Sequence, residues 1–150
     1  MRDIQRGPKA VQPGQGKTLS VLGERITLKI TGEDTGGGLS IVEIATPPQA
    51  GPPLHVHHRE DEGLYVAEGM YEIRVGGRMI PAPPGTCVFL PREVPHTYTN
   101  VGYRTGRLLA TITPAGFEGF FEELSRRALG PSPDRETLRA IAQQYGLEIL

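Results

Sequence analysis

A chain of 150 residues, 37% of them hydrophobic, is long enough to bury one core and matches a single domain in size. Its formal charge of −1 gives no electrostatic attraction to nucleic acid or an anionic membrane, and no apolar run approaches the ~20 residues of a spanning helix. One cysteine excludes an internal disulfide, and residues 1–17 lack the apolar segment of a secretory leader, so the expected location is the cytoplasm.

Residues 1–17 are polar and broken by Gly7-Pro8, Pro13-Gly14 and Gly16, which predicts an N-terminal arm. A β pattern then runs over residues 18–113. Ile26, Leu28 and Ile30 alternate with Thr27, Lys29 and Thr31, the mark of a half-buried strand. Glu33 to Gly38 reads as a loop because it ends in three glycines, and Leu39 to Thr46 reads as the next strand. Prolines 47, 48, 52 and 53 mark an extended connection. Tyr71, Ile73 and Val75 alternate up to Gly76-Gly77, a hairpin signal, and Arg78 to Ala82 returns. Cys87 to Leu90 is an apolar run, so Cys87 is expected as a buried core thiol; Arg107 to Thr113 is the last strand of the set.

Residues 114–150 change period. Phe117, Phe120, Phe121, Leu124 and Ala128 recur at three and four, predicting an amphipathic helix ended by Gly130-Pro131. Asp134 is placed to cap a second helix bearing Leu138, Ile141, Ala142 and Tyr145 and ended by Gly146. Their aromatic faces pack either on the chain's own sandwich or in a homodimer interface, and the tail Leu147 to Leu150 suits an edge strand on a neighbouring subunit. Many short strands followed by helices predict an all-β fold, a sandwich or jelly roll with short C-terminal helices.

Three of the four histidines lie in His55 to Gly69, HVHHREDEGLYVAEG, and the fourth, His96, lies in Gly85 to Asn100. His55 and His57 are two apart, so on a strand their imidazoles share a face. Glu62 shares parity with Leu64 and Val66, and an ionised carboxylate among apolar neighbours is costly to bury unless it meets a cation. Two imidazoles and a carboxylate converging on one point, completed by His96, make a candidate metal shell. His58 has the wrong parity and is read as a rim residue, Glu60 and Asp61 as a solvated turn, Tyr98 as a candidate pocket wall, and Asn100 as a turn holder.

These two stretches resemble the motifs of the cupin superfamily, in particular the small quercetin-dioxygenase-like cupins. The first motif reads His55-x-His57-x4-Glu62-x6-Gly69; the second reads Gly85-x5-Pro91 followed by His96-x3-Asn100. Two departures are visible: the leading glycine, Gly51, is nearer the histidines than usual, and Glu93 stands where the second motif has glycine. The resemblance implies a double-stranded β-helix over residues 18–113 and a mononuclear metal site of His55, His57, His96 and Glu62. Three imidazoles and one carboxylate suit a divalent transition metal, Fe, Mn, Ni, Co, Cu or Zn, and the lack of thiolates argues against a structural zinc.

The resemblance also implies a dioxygenase acting on a small enolisable or aromatic substrate, with Glu62 able to serve as a catalytic base. A non-oxidative isomerase or lyase and a non-catalytic binding domain are the alternatives. Inward strand positions are mainly apolar apart from the ligands, which favours a small uncharged or enolic substrate. Nucleic acid and membrane are not expected as partners; a homodimer is.

Overall fold

The computed structural model describes residues 6–150, so the first five residues of the expected arm lie outside the described residues. Residues 6–16 form no strand, and the β structure begins one residue earlier than expected, at β1 (Lys17–Val21). There follow β2 (Glu24–Ile30), α1 (Gly32–Thr35), β3 (Ser40–Thr46), β4 (His55–His57), β5 (Asp61–Glu68), β6 (Tyr71–Val75), β7 (Arg78–Ala82), β8 (Cys87–Leu90), β9 (His96–Asn100) and β10 (Gly106–Thr113). The chain closes with α2 (Glu118–Arg127), α3 (Arg135–Gln144) and β11 (Leu147–Ile149).

Two antiparallel sheets face each other. One has the order β1-β2-β3-β10-β5-β8 and the other β11-β4-β9-β6-β7. Alternation along each strand sends one face to the core: Val42 and Ile44 from β3, Leu64 and Val66 from β5, Leu108, Ala110 and Ile112 from β10, and Tyr71 and Ile73 from β6. This is the predicted jelly roll. Its outward side is polar on most strands, as expected for antiparallel sheets with one wet face.

Three sequence expectations change, and of the two placements open for the aromatic helix face the first is observed. Glu33 to Gly38 is not a plain loop, because Thr31 and Asp34 form a reciprocal capping box and nucleate α1, with Gly36 at φ 64° as its C-cap. Cys87 is exposed: Val88 and Leu90 take the inward positions of β8, leaving Cys87 and Phe89 outside. The tail is used within the chain, since β11 pairs antiparallel with β4 from Leu147↔His57 to Ile149↔His55. The aromatic face of α2 packs on the chain's own barrel, where Phe117, Phe120, Phe121 and Leu124 are buried. Asp134 caps α3 as expected, accepting from Thr137 N at 3.0 Å.

Glu118 ties α2 to α1. Its carboxylate accepts from Gly32 N and Gly116 N, both at 2.7 Å, joining the start of α2 to the start of α1. Gly51 is required by crowding: any side chain there would strike the Tyr98 carbonyl. That lets the chain pass β9 closely on its way into β4.

Candidate metal centre

The four candidate ligands come from three strands and both sheets. His55 and His57 project inward from β4, His96 is opposite His55 in β9, and Glu62 reaches across from β5. The three imidazoles are buried, and one nitrogen from each lies within 4.8 Å of the others. The Glu62 oxygens lie 3.3 Å from His57 Nε2 and 3.3 Å from His96 Nε2. The structure therefore brings together all four residues read from the motif.

The outer ring nitrogens are held by the protein. His55 Nδ1 is 2.7 Å from the Pro53 carbonyl and His96 Nδ1 is 3.3 Å from the Val94 carbonyl; assigning the proton to Nδ1 in each directs the Nε2 lone pair inward. His57 Nδ1 faces Glu60 Oε1 at 3.5 Å. Glu60 is thus not a solvated turn residue. It shares parity with Glu62, and only 5% of it is exposed. Asp61, of opposite parity, is bound by Arg92 through its backbone N at 2.8 Å and its side chain at 3.1 Å.

His58 lies outside the cluster, bridging Glu93 at 2.9 Å and Glu148 at 3.0 Å. Glu93 adopts φ 68°, so the turn keeps the left-handed conformation usual for glycine despite its side chain. Tyr98 lines the cavity. Asn100 holds the turn beyond β9, donating to the Thr46 and Arg104 carbonyls and accepting from Gly102 N.

Charges in the cluster are displaced in opposite senses. Burial, then the neighbouring His96 and His57, bring His55 down to about 3, so it is a neutral imidazole at pH 7. Burial opposes protonation of His57, but Glu62 and Glu60 outweigh it and carry its value up. Burial also pushes Glu62 up, yet the surrounding histidines outweigh it and bring it down to about 2.

These groups fit a cation. Glu62 is a buried carboxylate held well below the ordinary carboxylate range, and His57 stands between it and Glu60. His96 Nε2 is buried without a hydrogen bond of adequate geometry, as is His57 Nδ1. A divalent ion held by His55, His57, His96 and Glu62 would take the inward Nε2 lone pairs and offset the buried charge of Glu62.

The cluster opens on a cavity of about 60 Å³ between the sheets. Its walls are aliphatic on the strand side and aromatic on the helix side, where Phe117 meets His57 edge to face at 4.4 Å. Among the described residues no lysine or arginine lines it. One polar wall residue was not singled out from sequence: Glu24, which accepts from Tyr98 Oη and from Thr46 Oγ1. Its parity with Ile26 and Leu28 was the available signal.

Comparison with known proteins agrees with this picture. Residues 42–112 match the family model described as Cupin domain. A stretch of 101 residues is 27% identical to quercetin 2,3-dioxygenase of Bacillus subtilis (strain 168), covering 67% of this chain and 30% of that protein. The chain thus spans less than a third of that relative's length. KdgF from Halomonas sp. superposes with a TM-score of 0.67 at 17% identity, over 75% of this chain and 99% of that one. The polyketide cyclase RemF from Streptomyces resistomycificus gives 0.63 at 24% identity, over 71% and 80%. At such identities the likeness shows the fold alone. The matched motifs, the paired antiparallel sheets and the family match lead to one statement: this chain carries a cupin domain.

Proposed function

We propose that the protein is a metal-dependent dioxygenase of a small, uncharged, enolisable or aromatic substrate. The observation that carries this reading is the convergence of three inward imidazole nitrogens and the Glu62 carboxylate on a cavity that no lysine or arginine lines among the described residues. The region similar to quercetin 2,3-dioxygenase supports the oxidative assignment. A divalent Fe, Mn, Ni, Co or Cu ion at this site would supply Lewis acidity and one-electron chemistry with O₂.

The chain's own groups have definite tasks. The Pro53 and Val94 carbonyls and Glu60 fix the ring orientations. Glu62, ionised at neutral pH, is placed to take a proton from an acidic C–H or O–H of a bound substrate. Apolar walls and Phe117 keep water from the reacting atoms. Ligand pockets commonly measure roughly 300–1,000 Å³. At about 60 Å³, this cavity takes a small molecule as it stands, or a larger one if Phe117, Phe120 and Phe121 withdraw.

A non-oxidative isomerase or lyase is the second reading. It is favoured by the presence of an ionised Glu62 and a raised Glu24 in one cavity, since such pairs divide base and acid roles. Elemental analysis of protein purified without chelators, followed by oxygen-electrode assays on flavonols and diketones, separates the two. The expected result is near-stoichiometric redox metal and O₂ uptake on adding a substrate. Bound zinc without O₂ uptake would move the assignment to the second reading. Failure of the metal-free protein to take up any of these ions would reject both. Glu62→Gln protein that binds metal is expected to lose turnover; full activity in it would remove the base role.

A further inference from the structure

Glu24 opens β2 in the six-stranded sheet and is 4% exposed, whereas Tyr98 belongs to β9 in the other sheet. The phenol lies 2.9 Å from both Glu24 oxygens, and Thr46 Oγ1 donates to Oε2 at 2.8 Å. Glu24 and Tyr98 line the cavity; Thr46 stands behind them. Among the described residues no cation joins this group, and the hydrogen-bond partners of its carboxyl are hydroxyls. His96 and Tyr98 are alternate residues on one face of β9, which sets their Cα atoms one pleat repeat, ~7 Å, apart along the strand.

A purely structural tie between the sheets has no need of this chemistry, because replacing both partners of a buried hydrogen bond by apolar groups is nearly neutral. A carboxyl and a phenol at a cavity wall do have a use for a ligand. Thr46 and Tyr98 both approach Oε2, while Oε1 has Tyr98 as its sole hydrogen-bond partner among the described residues. The pair therefore keeps spare hydrogen-bonding capacity on Oε1 and on the phenol oxygen.

Building on the reading of this cavity as a substrate site, the geometry points to Glu24 and Tyr98 as a subsite that holds a hydroxyl or carbonyl oxygen at the substrate's far end. The substrate class narrows accordingly. It is an uncharged compound with one oxygen function toward the histidines and a second toward β2. A carboxylate or phosphate at that far end meets Glu24 and, among the described residues, no lysine or arginine, and is rejected.

The test uses three probes of common form CH₃COCH₂CH₂–X: 4-hydroxy-2-butanone, 2-pentanone and levulinate, with X as hydroxyl, methyl and carboxylate. Dissociation constants are measured by ligand-observed NMR on the full chain, metal-free and zinc-loaded. The hydroxyl probe is expected to bind about fivefold tighter than its methyl isostere, the worth of one net hydrogen bond, with levulinate weakest. Glu24→Met should abolish that preference, and Tyr98→Phe should reduce it, which keeps the test available if the first variant fails to fold. Thr46→Val should lose stability and keep the preference.

Equal binding of hydroxyl and methyl probes, tightest binding of levulinate, no binding of any probe, or a preference that survives Glu24→Met would each overturn the assignment. Loss of the preference in Thr46→Val would overturn it too, in favour of a structural tie. Zinc content measured on the same samples keeps the metal reading separate. A preference without zinc uptake refutes the metal centre alone; zinc uptake without a preference refutes the subsite alone.

Discussion

Two buried carboxylates share one cavity and behave in opposite ways. Burial pushes both Glu62 and Glu24 upward from the ordinary 4.5. Three imidazoles around Glu62 reverse the effect and bring it to about 2, whereas the hydroxyls of Thr46 and Tyr98 only moderate it at Glu24, which stands at about 7. Burial alone therefore does not decide the charge of a cavity carboxyl; the nature of its partners does. One end of the cavity suits a cation, the other a neutral oxygen.

The largest test of this contrast removes a ligand. His96→Ala is expected to weaken metal affinity by more than about 100-fold, since partners that merely orient ligands are worth about 10- to 100-fold. Competition against a chromogenic chelator would measure it, and an unchanged affinity would dissolve the charged end altogether.

Glu24→Gln tests the neutral end. The folded carboxyl keeps its proton up to about 7 and the unfolded one only to 4.5, so the folded state binds more protons between these values. By linkage its contribution to stability is full below 4.5 and is lost as pH rises through 7, a loss on the order of 3 kcal/mol. The glutamine variant cannot lose it. Denaturant melts should show the variant gaining on the parent from pH 4.5 to 7 and holding that gain above; parallel curves would mean that Glu24 ionises normally.

Glu60→Gln sharpens the charged end. It removes the anion facing His57 Nδ1 and should weaken metal binding about 10- to 100-fold while leaving the fold intact. The smallest effect belongs to Thr46→Val, at about 1 kcal/mol of stability. Because the Thr46 hydroxyl favours the ionised form of Glu24, its loss should also move the stability decline to higher pH.

Much of this molecule was legible in the chain. Period-two alternation located the strands, and the spacing from His55 to Gly69 placed His55, His57 and Glu62 on inward positions. The Asp134 cap was equally plain. Cys87 was not, because Cys87-Val88-Phe89-Leu90 is apolar throughout and shows no inward parity until β5 pairs with it. The short helix after Thr31 had its signal in Thr31 and Asp34, hidden by the glycines that follow. Glu24 and Glu60 shared parity with inward neighbours, but their charge argued for solvent. What makes their burial tolerable is tertiary: Thr46 and Tyr98 stand 22 and 74 residues from Glu24.

The strand bearing two of the histidines has little hold on the sheet from β9, where a single pair, His55↔His96, is in register. Its other edge is secured over three pairs by β11, and Leu150 N adds a bond to the Leu54 carbonyl. Residues 55–57 are thus braced by residues 147–150, with α3 packed against that brace. All four donors lie within residues 55–96, but the strand that carries His55 and His57 has its second edge only from residues 147–149. An ion held at this site would therefore draw its affinity from the C-terminal strand as well as from its own four donors.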